Sequence, residues 1–264
     1  MGKMPHIQLD ESIGATAAIL PGDPARVDAI CSFMTDVQDG TFNREYKSRT
    51  GLYKGRRILV ISTGMGGAST AICVEELADL GVKDFIRIGS CGALQSDLQC
   101  GQLVICDKAV CDDGASQSYL DYLRYGAPEL DFRKNPDSRA LMFADADPLL
   151  RDACVKAAGE QGFAYTVGPT RCHDAIYLSR KGWLDEYYSG KGIFASDMET
   201  AALFAVGQIR GVRTASILNV VVEWKKDLKE GIGSYKDGAD AAAQGEENEI
   251  ITALEALSAF HGGN

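Results

Sequence analysis

Phe85-Ile86-Arg87-Ile88-Gly89-Ser90-Cys91-Gly92 is the segment of this sequence that says most about fold and site. A short apolar run carries one arginine into a turn of small residues, which predicts a buried strand that ends at a binding site. A charge at the end of a buried strand is costly unless it is paired. A phosphate fits the planar guanidinium, and the small residues let backbone N–H groups and the Ser90 hydroxyl approach the same anion. The alternative partner for Arg87 is a carboxylate of the protein itself.

The composition is that of a globular protein with an excess of negative charge. The chain has 264 residues, of which 45% are hydrophobic and 24% are charged, and its net charge is −10. This length suits one large α/β domain, and we expect residues 1–264 to form a single domain. The negative charge argues against nucleic acid or an anionic membrane as a partner. A phosphate site in this chain therefore has to be a local positive pocket.

The N-terminal segment and the cysteines predict a cytoplasmic location. Residues 1–6 lead into no apolar segment, so no secretory signal is expected, and no apolar run is long enough to span a bilayer. The eight cysteines include no pair with CxxC spacing and sit mostly in apolar segments, which favours reduced, buried thiols. The three histidines are scattered, and we expect no metal site.

Strand and helix patterns alternate along most of the chain. Predicted strands cover residues 17–20, 58–62, 85–88, 102–106 and 214–222. One predicted helix begins at residue 26, and four others cover about residues 69–80, 148–161, 200–209 and 239–260. This order predicts an α/β fold with a central mixed β-sheet, mainly parallel, flanked by helices. Residues 112–147 are polar and poorly periodic, which is typical of a lid or a long binding loop.

Glycine-bearing turns follow the predicted strands that end at residues 20, 62 and 88. Ligands of open α/β sheets bind beyond the carboxyl ends of the strands, so these turns are expected to line one pocket. Two of the turns bring Arg26 and Arg87, and Arg44 is a third candidate cation. The combination indicates an inorganic or ester phosphate. A Walker loop is missing, and no GxGxxG turn follows the first strand.

Six short motifs follow one another along the chain. They are Pro5-His6-Ile7, Leu20-Pro21-Gly22-Asp23-Pro24-Ala25-Arg26-Val27, Asn43-Arg44-Glu45-Tyr46, Ser62-Thr63-Gly64-Met65-Gly66-Gly67, Arg87-Ile88-Gly89-Ser90-Cys91-Gly92 and Met198-Glu199. In this order and at these separations they resemble the motifs of the nucleoside phosphorylase family. That family contains the hexameric bacterial-type purine nucleoside phosphorylases and the uridine phosphorylases, and the resemblance runs nearly from end to end.

The resemblance implies a role for each motif. Inorganic phosphate would be bound by Gly22, Arg26, Arg87 and Ser90, with Arg44 supplied by a neighbouring subunit. The ribose would contact Met198, Glu199 and the neighbour's His6. The base would lie near Cys91, Gly92, Ile176, Tyr177, Ser196 and Asp197. Sites shared in this way imply a homo-oligomer built from dimers, with a hexamer as the expected assembly.

The implied reaction is phosphorolysis of a ribonucleoside or deoxyribonucleoside, a pentosyltransferase reaction of nucleotide salvage. Cleavage of the N-glycosidic bond develops oxocarbenium character on the sugar. A phosphate held on one face stabilises this charge and attacks C1′, which gives free base and pentose 1-phosphate. Arg87, Glu199 and a group that protonates the base would be the catalytic residues. Inorganic phosphate is the co-substrate, and no cofactor is expected.

Two features favour a purine base over uracil. Uridine phosphorylases of this family carry a Gln-x-Arg element where this chain reads Leu178-Ser179-Arg180-Lys181, and an insertion before the Met-Glu pair that is missing here. Purine enzymes carry an aspartate after the strand at 214–222, whereas this chain has Val222 followed by Glu223. Glu223 is therefore the candidate acid toward the base. Uridine phosphorylase is the alternative function.

The cations also have ordinary structural roles that the sequence leaves open. Arg26 could be a surface residue of a first helical turn, and His6 could be a solvated residue near a chain end. Arg44 could pair with Asp39 or Glu45 within its loop.

The same holds for the sugar and base residues. Met198 could be core, Glu199 could favour a helix N-terminus through the macrodipole, and Glu223 could be a solvated loop carboxylate. A nucleosidase of the same fold is a further functional alternative, although water as nucleophile needs no arginine cluster. A nucleoside-binding protein without activity is the non-enzymatic alternative, because the usual acid is replaced by Val222.

Overall fold

The computed structural model describes residues 2–125, 141–179, 181–227, 229, 231, 233 and 240–260. Their strands form one ten-stranded mixed sheet. The strands are β1 (Ala17–Pro21), β2 (Thr35–Asn43), β3 (Tyr46–Tyr53), β4 (Arg56–Ile61), β5 (Asp84–Ala93), β6 (Leu103–Asp112), β7 (Phe143–Asp145), β8 (Tyr165–His173), β9 (Ala195–Asp197) and β10 (Arg213–Val222).

Helices flank this sheet and begin where the sequence supplies capping groups. Asp23 and Asp147 accept hydrogen bonds from the N–H groups of Ala25 and Leu150, and a proline follows each aspartate in the first turn. The helices are α1 (Pro24–Cys31), α2 (Gly67–Asp79), α3 (Gly114–Tyr125), α4 (Pro148–Gln161), α5 (Lys181–Ser189), α6 (Thr200–Arg210) and α7 (Asp240–Ala259).

The sheet has the order β10-β6-β8-β9-β5-β1-β4-β3-β2, and β10 also pairs with β5. This extra pairing closes β5, β10, β6, β8 and β9 into a ring. Parallel pairs join β1 to β4, β1 to β5, and β5 to β10, whereas β2, β3 and β4 are joined by antiparallel pairs. The predicted mixed sheet flanked by helices is therefore confirmed. The expectation that it is mainly parallel is wrong, because the described strands form five parallel and five antiparallel pairs.

Strand β5 exchanges one neighbour for another in the middle of its length. Its first half pairs with β1 as far as Pro21↔Ile88, and its end pairs with β9 from Gly92↔Ser196. Strand β10 borders the opposite edge of β5 throughout. The described strands therefore leave residues 89–91 without a partner on one edge, and the sheet opens there.

The core lies on both faces of the sheet. In β1, Ala18 and Leu20 face one layer, which contains α2 and α6, and Ala17 and Ile19 face the other, which contains α1, α4 and α7. These side chains are fully buried, and burying one Leu or Ile contributes about 1.5–3 kcal/mol. Both faces are thus fixed by packing, and the carboxyl ends of the parallel strands are held in place.

Several parts of the chain differ from the sequence-based expectation. The β2–β3 hairpin, the strands β7, β8 and β9 and the helix α5 were not predicted. Residues Gly114–Tyr125 form helix α3 within the segment that was expected to be an irregular lid, and residues 126–140 of that segment lie outside the described residues. Seven of the eight cysteines are buried, as predicted, and Cys100 is half-buried.

Candidate active site

Arg87 is the buried cation at the centre of the candidate site. It lies on β5 and is 4% exposed. Gly89 follows on the same face of the strand, and a Cβ atom there would lie 2.6 Å from Nη2 of Arg87. Glycine at this position therefore makes room for the guanidinium to fold back over the strand.

The guanidinium of Arg87 has two carboxylate partners and one unsatisfied nitrogen. Nη2 donates to Oε2 of Glu199 at 2.5 Å, and Nε donates to Oδ2 of Asp197 at 3.3 Å. Nη1 is buried and has no hydrogen-bond partner among the described residues. A buried donor without a partner is costly, so Nη1 is a position at which an anion would be stabilised. The carboxylate alternative raised by the sequence is thus correct for two of the three nitrogens.

Glu199 joins three elements at this point. It directly precedes α6, its Oε2 binds Arg87, and its Oε1 accepts from the N–H of Gly66 at 2.6 Å. Gly66 has a φ of 102° and stands at the start of α2, so the carboxylate also faces the positive end of that helix. Burial raises the pKa of Glu199, and the charge of Asp197 adds to this against the opposing effect of Arg87. Each carboxylate oxygen retains acceptor capacity for a hydroxyl group.

Asp197 is a buried carboxylate whose two oxygens are both occupied. Oδ1 accepts from Thr170 and Cys172, and Oδ2 accepts from the backbone of Glu199 and from Thr200. Burial alone would raise the pKa of Asp197, but Arg87 and these donors outweigh it and hold the pKa below its ordinary value. The contacts of Asp197 orient Arg87 and the start of α6, and its predicted contact with the base stays a prediction.

Arg26 is buried at the start of α1, so the surface alternative is wrong. Its Nε lies 3.1 Å from Glu246 and its Nη1 lies 3.2 Å from Oε1 of Glu249. Oε2 of Glu249 accepts from the N–H of Gly89 at 3.1 Å. One carboxyl group of α7 therefore connects Arg26 to the turn that follows Arg87.

The three glycine-bearing turns lie side by side. Thr63 N–H donates to the carbonyl of Pro21 at 2.9 Å, and Gly64 N–H donates to that of Gly22 at 3.0 Å. A Cβ atom on Gly22 would lie 3.3 Å from the Gly64 carbonyl oxygen, which is a tight contact. The half-buried Ser90 stands in the open part of β5 beside them. The predicted convergence of these turns is confirmed by this geometry.

Arg44 and His6 stand apart from this cluster. Arg44 is exposed at the tip of the β2–β3 hairpin with a φ of 55°, and the nearby Asp39 accepts from Arg49 instead. The His6 side chain is 41% exposed, and its Nδ1 lies 2.5 Å from Oε1 of Glu76. In the described part of the chain neither residue is hydrogen-bonded to the Arg87 cluster. Their predicted contribution to a neighbouring subunit's site is compatible with this position and stays a prediction.

The predicted base residues range from buried to exposed. Ser196 pairs with Gly92 across β9 and β5, and Cys91 is buried next to them. Met198 and Ile176 are half-buried, so Met198 is not a fully buried core residue. Tyr177 is 73% exposed on the segment that follows β8.

Comparison with known proteins assigns the family. Residues 16–256 match the phosphorylase superfamily. The chain belongs to this superfamily. Guanosine phosphorylase of Halorubrum lacusprofundi is 32% identical over 260 residues, which cover 98% of this chain and 100% of that protein. Uridine phosphorylase of Haemophilus influenzae is 32% identical over 259 residues, which cover 92% and 93%.

Solved structures of the phosphorylase superfamily share the fold. Uridine phosphorylase of Vibrio fischeri ES114 superimposes with a TM-score of 0.83 at 36% identity, over 98% of this chain and 97% of that one. Purine nucleoside phosphorylase of Toxoplasma gondii superimposes with a TM-score of 0.78 at 30% identity, over 97% and 95%. The chain is thus an enzyme of the nucleoside phosphorylase family, a class of pentosyltransferases, and the family resemblance noted from its motifs is confirmed.

Glu223, the candidate acid toward the base, lies just beyond the end of β10. It follows Val222, which pairs with Gly92 after an irregularity in the β10 ladder. Oε1 of Glu223 accepts from the N–H of Cys100 at 3.2 Å, and the residue is half-buried. Its side chain is therefore held near the end of β10, and its role as acid toward the base stays a prediction.

Sequence reasoning missed Glu246 and Glu249, the two carboxylates that bind Arg26. A signal for Glu249 was available. Glu249 precedes Thr252 by three residues and Ala253 by four, so it lies on the same face of α7 as these buried residues and Ala256. A carboxylate on the apolar face of an amphipathic helix needs a buried cation or proton, and that requirement points to a site.

The described residues contain neither a membrane-spanning helix nor a cluster of side chains suited to a metal ion. None of their helices combines the length and apolar character needed to cross a membrane. Within the same residues, no group of three histidine, cysteine or acidic side chains is arranged to hold a metal ion.

Proposed function

We propose that this protein cleaves the N-glycosidic bond of a nucleoside with inorganic phosphate and releases a free base and pentose 1-phosphate. The observation that carries this proposal is the buried Nη1 of Arg87, which lacks a hydrogen-bond partner among the described residues. Phosphate oxygens suit such a fixed cationic donor. Attack by water needs no such donor, so a phosphorylase is favoured over a nucleosidase.

The phosphate would bind in the opening of β5. Arg87 and Arg26 supply charge, and Ser90 and the adjoining backbone supply hydrogen bonds. In well-oriented systems, placing the nucleophile next to the reacting carbon in this way lowers the barrier by about 7–11 kcal/mol. The fixed dipoles and charges need no reorganisation as the reaction proceeds.

Glu199 would bind the sugar. Its oxygens are already oriented by Gly66 and Arg87, and their remaining acceptor capacity suits two neighbouring ribose hydroxyls. As the sugar gains oxocarbenium character, its hydroxyl protons become better donors, so these hydrogen bonds strengthen in the transition state. Met198, which is half-buried beside Glu199, would pack against the sugar ring.

The departing base needs a proton or hydrogen bonds for its developing negative charge. Glu223 is the candidate acid for a purine. Its position after Val222, which pairs with Gly92, brings it to the end of the sheet where Cys91 and Ser196 would line the base. Ile176 and Tyr177 would cover the base from the segment after β8.

A second copy of the chain would complete the site. Arg44 stands on an exposed hairpin tip and His6 near an exposed N-terminal segment, so both are accessible to a neighbouring subunit. We propose a homo-oligomer built from dimers that exchange these residues, with a hexamer as the full assembly. The cytoplasm is the proposed location, and no metal or other cofactor is proposed for the reaction.

A purine nucleoside is the favoured substrate, with guanosine first. The similarity to the guanosine phosphorylase of Halorubrum lacusprofundi spans both chains almost completely, and the Gln-x-Arg element is replaced by Leu178-Ser179-Arg180-Lys181. Uridine is the second candidate, because the uridine phosphorylase of Vibrio fischeri has the higher structural similarity and identity of the two structures compared.

A nucleoside panel tests both levels of the proposal. Purified protein is incubated with guanosine, inosine, adenosine, uridine and thymidine, with and without inorganic phosphate, and free base and pentose 1-phosphate are measured. We expect base release only with phosphate and fastest for guanosine. Equal release without phosphate would identify a nucleosidase, and binding without release a non-catalytic protein. Fastest release from uridine would select the second candidate.

A further inference from the structure

Glu249 is a buried carboxyl group that the proposed reaction does not use. It lies on α7 with its side chain 0% exposed. Oε1 is 3.2 Å from Nη1 of Arg26, and Oε2 accepts from the N–H of Gly89 at 3.1 Å. Glu249 thus holds two donors, a guanidinium and a backbone amide, that adjoin the opening of β5 where phosphate would bind.

The charges around Glu249 constrain what it can do when phosphate enters. Arg26 faces it from α1 and Glu246 from its own helix, while β5 contributes Arg87 and the thiol of Cys91. Strand β10 contributes no charge here. Its Asn219 carries a neutral amide that donates a hydrogen bond to a backbone carbonyl of α7. If Glu249 is ionised, Arg26 is matched by two carboxylates, and an arriving phosphate dianion meets no excess of positive charge there.

We propose that Glu249 is a positioning residue of the phosphate subsite that carries a proton when phosphate is bound, so that phosphate binding and protonation of Glu249 are linked. In this form the carboxyl group still joins Arg26 to the Gly89 turn, but it no longer cancels the charge of the arginine. The proton comes from solvent and stays on the carboxyl group, so no bond is broken in the linkage. The inference rests on the proposed phosphate subsite.

The acidity of Glu249 agrees with this geometry. Burial raises its pKa to about 8, while Arg26 opposes this effect and Glu246 adds to it. Below about pH 8 the free enzyme therefore already holds the proton, and anion binding is independent of pH. Above that value a proton must be taken up with the anion, so the affinity falls by about tenfold per pH unit.

Sulfate is a suitable probe, because it is a dianion of phosphate-like shape that does not titrate between pH 6 and 9. Its binding to the full chain is measured by calorimetry over this range, in two buffers with different ionisation enthalpies. We expect constant affinity up to about pH 8 and a decline of about tenfold per unit above it, with uptake of up to one proton. Glu249→Gln should bind sulfate with no dependence on pH in this range and no proton uptake.

Glu255→Gln is the matched control, because Glu255 is on the same helix but pairs with Lys54 at the surface. Its binding should follow that of the wild-type protein. Wild-type binding without proton uptake at pH 9, or a Glu249→Gln variant that keeps the wild-type pH dependence, would overturn the linkage. The wild-type measurement decides the question even if the variant fails to fold. Failure of sulfate and phosphate to bind at any pH would instead refute the phosphate subsite itself.

Discussion

The proposed phosphate half and the proposed base half of the candidate site are built differently. Arg87 and Arg26 are buried, and each is held by two carboxylates from other elements. In the base half, Tyr177 is 73% exposed and lies on a connecting segment after β8. The proposed nucleophile side is thus held by buried ion pairs, whereas the proposed leaving-group side combines buried residues of β5 and β9 with the exposed Tyr177.

This difference determines how substitutions in the two proposed halves are expected to act. Changing Arg87 would unpair Asp197 and Glu199, both buried, so the phosphate half is tied to the stability of the fold. Changing Tyr177 affects few buried contacts. The comparison predicts that substitutions in the phosphate half abolish the reaction, whereas those in the base half alter its selectivity.

The largest effect is expected for Arg87→Ala. Loss of a fixed donor at the developing charge lowers kcat/KM by about 10³-fold. Steady-state kinetics with varied phosphate measure this, and circular dichroism checks the fold. Arg87→Lys keeps one charge but cannot serve Asp197, Glu199 and phosphate together, so it should also be severely impaired. Near wild-type turnover in either folded variant would break the assignment of the phosphate half.

Glu223→Gln tests the acid at the junction of the two halves. We expect purine nucleosides to react about 10²-fold more slowly, because a positioned proton donor is lost, and one limb of the pH–rate profile to disappear. Glu186→Gln removes a nearby exposed carboxylate that pairs with Lys225 and should leave the profile intact. If Glu223→Gln keeps the wild-type profile, Glu223 has no part in the mechanism.

Tyr177→Ala tests the base half alone. An aromatic contact with the base contributes about 1 kcal/mol, so the KM for the nucleoside should rise about fivefold. The KM for phosphate should not change. Trp183→Ala is the control, because Trp183 is also an exposed aromatic residue and stacks on Tyr187. A parallel rise in both KM values would show that the two halves are not separable.

The smallest expected effect concerns the pH dependence of stability and does not involve turnover. The pKa of Glu249 is raised in the folded state to about 8 from an ordinary 4.5. Its stabilising contribution is therefore complete below about pH 4.5 and is lost as the pH rises to about 8. In phosphate-free buffer the wild-type Tm should fall by about 5 °C or more over this interval. Glu249→Gln should show a flatter curve, and a slope equal to that of the wild type would contradict the assignment.

Much of the sheet could be predicted from the sequence because its central strands are continuous apolar runs. Residues 58–62 and 85–88 are buried on both faces and fall within β4 and β5 or extend them by one residue. The hairpin strand β2 was missed because it lies at the sheet edge, where its residues are mostly exposed and carry no apolar alternation. Strand β8 contains Gly168-Pro169, which reads as a break, and its pairing to β6 is decided by tertiary contacts.

The site was predicted as far as local motifs reach. The turns next to Gly22, Arg26 and Arg87 could be placed together because ligands of open α/β sheets bind beyond the carboxyl ends of the strands. The bond between Glu249 and Arg26 joins residues 223 positions apart, so it depends on how α7 packs against the sheet. Likewise, the hydrogen bonds that Oδ1 of Asp197 accepts from Thr170 and Cys172 follow from the approach of β8, which no motif encodes.

The change of neighbours along β5 has a consequence for how such a site can diverge. At residues 89–91 one edge of the strand is free of β1 and not yet joined to β9, while β10 secures the other edge. The N–H of Gly89 already donates to Glu249, so the backbone of residues 90 and 91 is the part of this opening that would contact the proposed phosphate. A substitution of the half-buried Ser90 can therefore change the proposed phosphate contacts while β10 still holds the strand, whereas Cys91 is buried in the core.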